Sequence, residues 1–72
     1  MPYAVNDDLP PAVRRALPPH AQSIYREAFN QAWAAHAGQP SQEATAHRIA
    51  WSAVKRAYAK TRSGWVARDD RE

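Results

Sequence analysis

The chain has no cysteine, only two glycines and a single phenylalanine. Without cysteine no disulfide can staple the fold, and thiolate zinc sites and cysteine nucleophiles are excluded. Glycines at 38 and 64 alone cannot build a phosphate-cradling loop, and there is no G-x-S-x-G turn. No apolar run approaches the roughly 20 residues that cross a bilayer. The opening MPYAVNDDLP has neither a basic stretch nor an apolar one, so no secretory leader is expected. A cytoplasmic chain without membrane insertion is the expectation. The last shortage is of one sign of charge. Between residues 44 and 68 there is no acid, but Arg48, Lys55, Arg56, Lys60, Arg62 and Arg68 all fall there. Residues 1–43 set three arginines against Asp7, Asp8, Glu27 and Glu43, and the closing DDRE is net acidic, so the total of +3 is unevenly spread. Such asymmetry bears on association rather than on fold.

What the chain does have is aromatic bulk, six prolines and abundant alanine. Seventy-two residues make one domain with little apolar area to spare. Trp33, Trp51, Trp65, Phe29, Tyr25 and Tyr58 are its large contributors, each able to bury about 150–250 Å². Proline punctuates. Asp7 or Asp8 can cap a first helix over 10–17, with Leu9, Val13 and Leu17 on one stripe and Pro18 as its stop. Pro19 then opens a helix over 19–37, where Ala21, Ile24, Tyr25, Ala28, Phe29, Ala32 and Trp33 recur with helical spacing until Gly38. A third helix is expected over 41–62, with Ala46, Ile49, Ala50, Ala53, Val54 and Ala57 as its apolar stripe. The short Gly-Gln-Pro connection favours antiparallel pairing of the last two helices. Segments 1–9 and 63–72 flank the helices, and MPYAV and GWVAR offer material for a minimal strand pair between the two termini. The predicted class is mainly α: a short N-terminal helix plus a long antiparallel helix pair. Its core is predicted around Leu17, Ile24, Tyr25, Phe29, Ala32, Trp33, Ile49, Ala50, Ala53, Val54 and Ala57.

The segments MPY (1–3), DLP (8–10), LPPHAQSIYREAFNQAW (17–33) and AHRIAWSAVKRAYAK (46–60), followed by Trp65, resemble the ChaB family of small bacterial proteins. The resemblance runs in order along nearly the whole chain. It implies a regulator of cation transport, a description that rests on the namesake being encoded beside a cation/proton antiporter. It also implies a tilt toward nucleic acid, because relatives occur in larger DNA viruses and some carry an added domain like the N-terminal part of transcription terminator Rho. Three departures stand out. The connection at 38–42 is shorter than in relatives with a charged insert, His36 replaces an aromatic, and prolines are doubled at 10–11 and 18–19.

On a helical projection Arg48, Lys55 and Arg62, spaced by seven, align opposite the alanine face, with Trp51 and Tyr58 on one shoulder and Arg56 and Lys60 on the other. Three readings compete. The cations are the solvated side of a core helix, or they meet phosphates while an aromatic stacks on a base, or the face docks on a protein. No zinc-finger, basic-zipper or RNP pattern is present. The histidines at 20, 36 and 47 match no metal signature such as H-E-x-x-H, so neither a metal nor a cofactor is expected. Ser23, Ser41, Ser52 and Ser63 lack evident His-and-acid partners, which argues against an enzyme. Asn30, a poor helix former on the polar side of its helix, suggests a hydrogen bond to a loop or to the N-terminal segment. The expectation is a monomeric, non-enzymatic regulatory or adaptor protein. It would contact a protein partner, a cation transporter or its regulator, through Arg48, Trp51, Lys55, Tyr58 and Arg62. Nucleic-acid binding by the same residues is the alternative.

Overall fold

A computed structural model describes residues 3–68. A 3₁₀ turn over Asn6–Asp8 leads into helix α1 (Pro11–Ala16), helix α2 (Pro19–Ala35) and helix α3 (Gln42–Ala57), and the chain ends in a hairpin of strands β1 (Tyr58–Thr61) and β2 (Gly64–Ala67). The fold is mainly helical, with a small antiparallel sheet.

Each proline pair does the same work. Pro10 and Pro18 are extended and Pro11 and Pro19 occupy the first helical position, where a missing N–H costs least. No side chain caps α1, contrary to the expectation for Asp7 or Asp8. Those acids lie in the 3₁₀ turn, and Pro10 intervenes at the capping position. The end of α1 is finished from outside. Gln22 Nε2 donates to the carbonyls of Leu17 (2.8 Å) and Arg14 (3.2 Å), supplying donors that the helix itself cannot.

Helices α2 and α3 run antiparallel. Tyr25 meets Trp51, Phe29 meets His47, and Gln42 Nε2 donates to the carbonyl of Trp33 (2.7 Å), so partners descend along one helix as they ascend along the other. Fully buried Ala21, Ala46 and Ala50 let the two backbones approach, and Tyr25, Phe29, Leu9 and Val54 fill the space between. Of the predicted core, Leu17, Tyr25, Phe29, Ala32, Ala50 and Val54 are buried, while Ile24, Trp33, Ile49 and Ala57 pack half-buried around them. Leu9, Val13 and Tyr58 join the core from the flanks.

Helix ends shift by one or two residues from the sequence reading, except at the C-terminal end, where the change is large. Helix α3 stops at Ala57 rather than 62, and residues 58–61 become β1. Tyr58 and Thr61 favour extended backbone, and the turn at Arg62-Ser63 closes through Gly64, whose φ of +120° is open to glycine and strained for other residues. The last carbonyls of α3 are met by the returning chain: Arg68 donates its amide to Ala57 (2.9 Å) and its Nε to Lys55 (2.8 Å). The strand pair is accordingly internal to the C-terminal region, and β2 pairs with 58–61 rather than with the N-terminus.

The N-terminal segment is held instead by one face of α2. The Tyr3 amide donates to Asn30 Oδ1 (2.9 Å), and Asn30 Nδ2 donates back to the Tyr3 carbonyl (2.8 Å). Further along, Arg26 Nε donates to Asn6 Oδ1 (2.8 Å) and Asn6 Nδ2 donates to Ser23 Oγ (3.1 Å). Ser23, Arg26 and Asn30 stand three and four residues apart, which places them on one side of the helix. Asn30 thus uses its side-chain amide as a strand would use its backbone. This is the tie to the N-terminal segment expected from its type and place.

Candidate docking surface

Aromatic rings form a row from the core to the surface. Tyr3 packs on Phe29 (centroids 4.8 Å apart), Phe29 on Tyr25 (6.4 Å), Tyr25 edge-on against Trp51 (5.1 Å), and Trp51 against Trp65 of β2 (5.6 Å). The row runs from half-buried Tyr3 through fully buried Phe29 and Tyr25 and ends half-exposed, because Trp51 sits on the shoulder of α3 and Trp65 on a two-stranded hairpin with nothing beyond it among the described residues.

The five residues singled out from the sequence do not form one stripe. Arg48 and Lys55 are exposed on α3, about 10 Å apart along the helix axis by its rise per residue. Trp51 lies half-buried between them and the aromatic row. Tyr58 is 8% exposed, its ring 6.2 Å from His20, so it belongs to the core and not to this surface. Arg62 leaves the helical register altogether and stands exposed in the hairpin turn. The seven-residue spacing lost its meaning where the backbone became extended. Two other residues stand beside Trp51 and its cations instead. Trp65 completes the indole pair, and Lys60 lies directly across the ladder from it. Directly opposed residues of an antiparallel ladder project from the same face, so the Trp65 indole and the Lys60 ammonium share one side of the hairpin.

Behind this surface Tyr25 and His47 form a short hydrogen bond between Tyr25 Oη and His47 Nδ1, while His47 Nε2 lies 3.7 Å from a carboxylate oxygen of Glu43. Burial, and secondarily the neighbouring Tyr3, push the Tyr25 phenol up to about 12. Burial, with the Glu43 carboxylate second, raises Tyr3 as well. An unfolded tyrosine ionises near 10. Between pH 10 and 12 the native state therefore keeps a proton that the unfolded state has released, and stability falls as the pH rises through that window. A tyrosinate absorbance titration should show one phenol ionising near pH 12, coincident with alkaline unfolding and absent in Tyr25→Phe. Three phenols ionising together near 10 in the folded protein would contradict this.

The other histidines serve elsewhere. His36 Nδ1 pairs with Gln39 Oε1 (3.1 Å) at the end of α2, and no group of three or more His, Asp or Glu side chains suited to a metal occurs among the described residues. On the other shoulder of α3 an open groove of about 380 Å³ runs along α2, floored by Ala28, Ala35, Ile49 and Ala53 and edged by His36 and Arg56. No described helix is long and apolar enough to cross a membrane.

The comparisons agree with this architecture. The ChaB family profile matches residues 9–68. Proteins described as "Putative cation transport regulator ChaB" from Escherichia coli strain K12 and from Shigella flexneri are each 50% identical over 66 residues, which covers 83% of this chain and 87% of the relative. A solution structure described as that of "the putative cation transport regulator ChaB" superposes with a TM-score of 0.82 at 44% identity, covering 94% of this chain and all of that one. With the family profile matching most of its length and relatives at 50% identity over 66 residues, the chain belongs to the ChaB family.

Proposed function

We propose that this chain is a small regulatory domain of cation transport that acts by contacting another protein and catalyses no reaction of its own. The observation that supports it best is the half-exposed Trp51–Trp65 pair, rimmed by Arg48, Lys55, Lys60 and Arg62. Aromatic anchors inside a charged rim are the composition of protein-docking patches. Nucleic acid fits this surface less well. Tracking a single strand calls for successive rings with free faces, and here Trp51 is engaged by both Tyr25 and Trp65 while Tyr58 is buried.

The test is functional. Cells lacking the chain should show altered sodium, potassium or calcium efflux from everted membrane vesicles. The wild-type chain should restore it, and Trp65→Ala, verified as folded, should not. Efflux unchanged by deletion would remove the regulatory reading, and full restoration by Trp65→Ala would remove this surface from it.

A further inference from the structure

We infer that the partner presents an acidic segment to this surface, with an apolar or aromatic side chain seated on the Trp51–Trp65 pair; the inference rests on the docking reading above. Charge complementarity carries it. Arg48, Lys55, Lys60 and Arg62 are all exposed, and among the described residues none has a carboxylate within ion-pairing distance. The one ion-pair contact in the described residues is that of His47 with Glu43, in the first half of α3. Arg68 stands apart from these four, because its Nε is committed to the Lys55 carbonyl at the end of the helix.

These cations are held in place by well-defined elements. Arg48 and Lys55 are two helical turns apart on α3. Lys60 is fixed opposite Trp65 by the ladder, and Arg62 by the two-residue turn. A ligand resting on the indoles is therefore surrounded by positive charge from α3 and from the hairpin. A basic or neutral segment would leave that charge unanswered. Carboxylates would answer it, speeding encounter and rejecting wrong partners more than deepening affinity. Phosphates would answer the charge but, being polar, would gain nothing from burying the half-exposed indole pair.

The probe is a library of random 15-residue peptides, selected by display on the full-length chain and counter-selected on Trp65→Ala. The retained peptides should be enriched in Asp and Glu around an aromatic or branched aliphatic residue. Their affinity should fall about tenfold or more in Arg48→Glu/Lys55→Glu/Arg62→Glu, and steadily with added salt. Arg15→Glu on α1 should change it less than about twofold. Replacing the peptide acids by Lys should restore binding to the triple variant, which shows that the variant is folded. Peptides that require Trp65 without an acidic bias would overturn the inference and leave the docking reading standing. If no peptide requires Trp65, both fail. Tight binding of an oligo-dT strand at physiological salt, lost in the triple variant and kept in Trp65→Ala, would replace the acidic segment by a phosphate backbone.

Discussion

Phe29→Ala is expected to lower stability by about 3–5 kcal/mol, the usual cost of emptying a buried aromatic site. Phe29 is 1% exposed, and its ring meets Tyr3 (4.8 Å), Trp33 (5.8 Å), Tyr25 (6.4 Å) and His47 (4.7 Å). Those partners come from α2, from α3 and from the N-terminal segment, so one deletion strips contacts from three parts of the fold at once. A chain of 72 residues has a total stability of about 4–11 kcal/mol by the usual per-residue range. The variant should therefore lose between about a quarter and all of its stability. Far-UV circular dichroism and urea titration will decide. Phe29→Leu, which keeps most of the volume, should retain the fold with a smaller loss. If Phe29→Ala unfolds at the same urea concentration as wild type, the aromatic row does not hold the helices together.

Asn30→Ala is expected to cost about 1–3 kcal/mol, because it leaves both the amide and the carbonyl of Tyr3 without their partner. In a domain this small each kcal/mol lowers the melting temperature by about 4–8 °C. The pairing is only partly buried, so water can take over part of it and the loss should sit in the middle of that range. Asn30→Asp separates the two bonds. It still accepts from the Tyr3 amide but sets a carboxylate against the Tyr3 carbonyl, and should be no better than alanine. Hydrogen exchange gives the sharper readout. The Tyr3 amide should lose protection in Asn30→Ala while amides in the middle of α2 keep theirs. Equal protection at Tyr3 in both proteins would mean that packing of its ring on Phe29 holds the segment without the amide pair.

Much of this architecture could be read from the chain, for identifiable reasons. The run of Ala21, Tyr25, Phe29 and Ala32 and the run of Ala46, Ala50 and Val54 are long enough for helical period to be unambiguous, and paired prolines marked where helices begin. Asn30 announced itself as a polar residue with little to gain from helix. The failure lay in residues 58–61, where Ala59 and Lys60 suit a helix while Tyr58 and Thr61 suit a strand, and four residues are too few for period to arbitrate. What decides them lies elsewhere in the chain: the bonds of Arg68 back to Ala57 and Lys55 and the contact of Trp65 with Trp51. The surface inherited that error. Arg48, Trp51 and Lys55 were correctly placed on the exposed side and shoulder of a helix. Arg62 and Tyr58 were assigned by extrapolating its spacing past its end, and Lys60 and Trp65 were overlooked as a cross-strand pair for the same reason.

The connection between α2 and α3 has a consequence for how sequences of this kind can vary in length. Residues 37–41 are exposed, and Gly38 at φ +85° has open space where a side chain would begin. The helix ends are tied directly to each other by Gln42 Nε2 on the Trp33 carbonyl, a bond that uses no residue of the loop's middle. Lengthening a flexible loop raises its closure entropy only slowly, about 0.6 kcal/mol per doubling. Residues added there would extend outward from a frame already fixed. This is how relatives with a longer, charged connection can keep the same helix pair, and it makes the tip of this hairpin of helices the natural insertion point for a reporter or an added binding element.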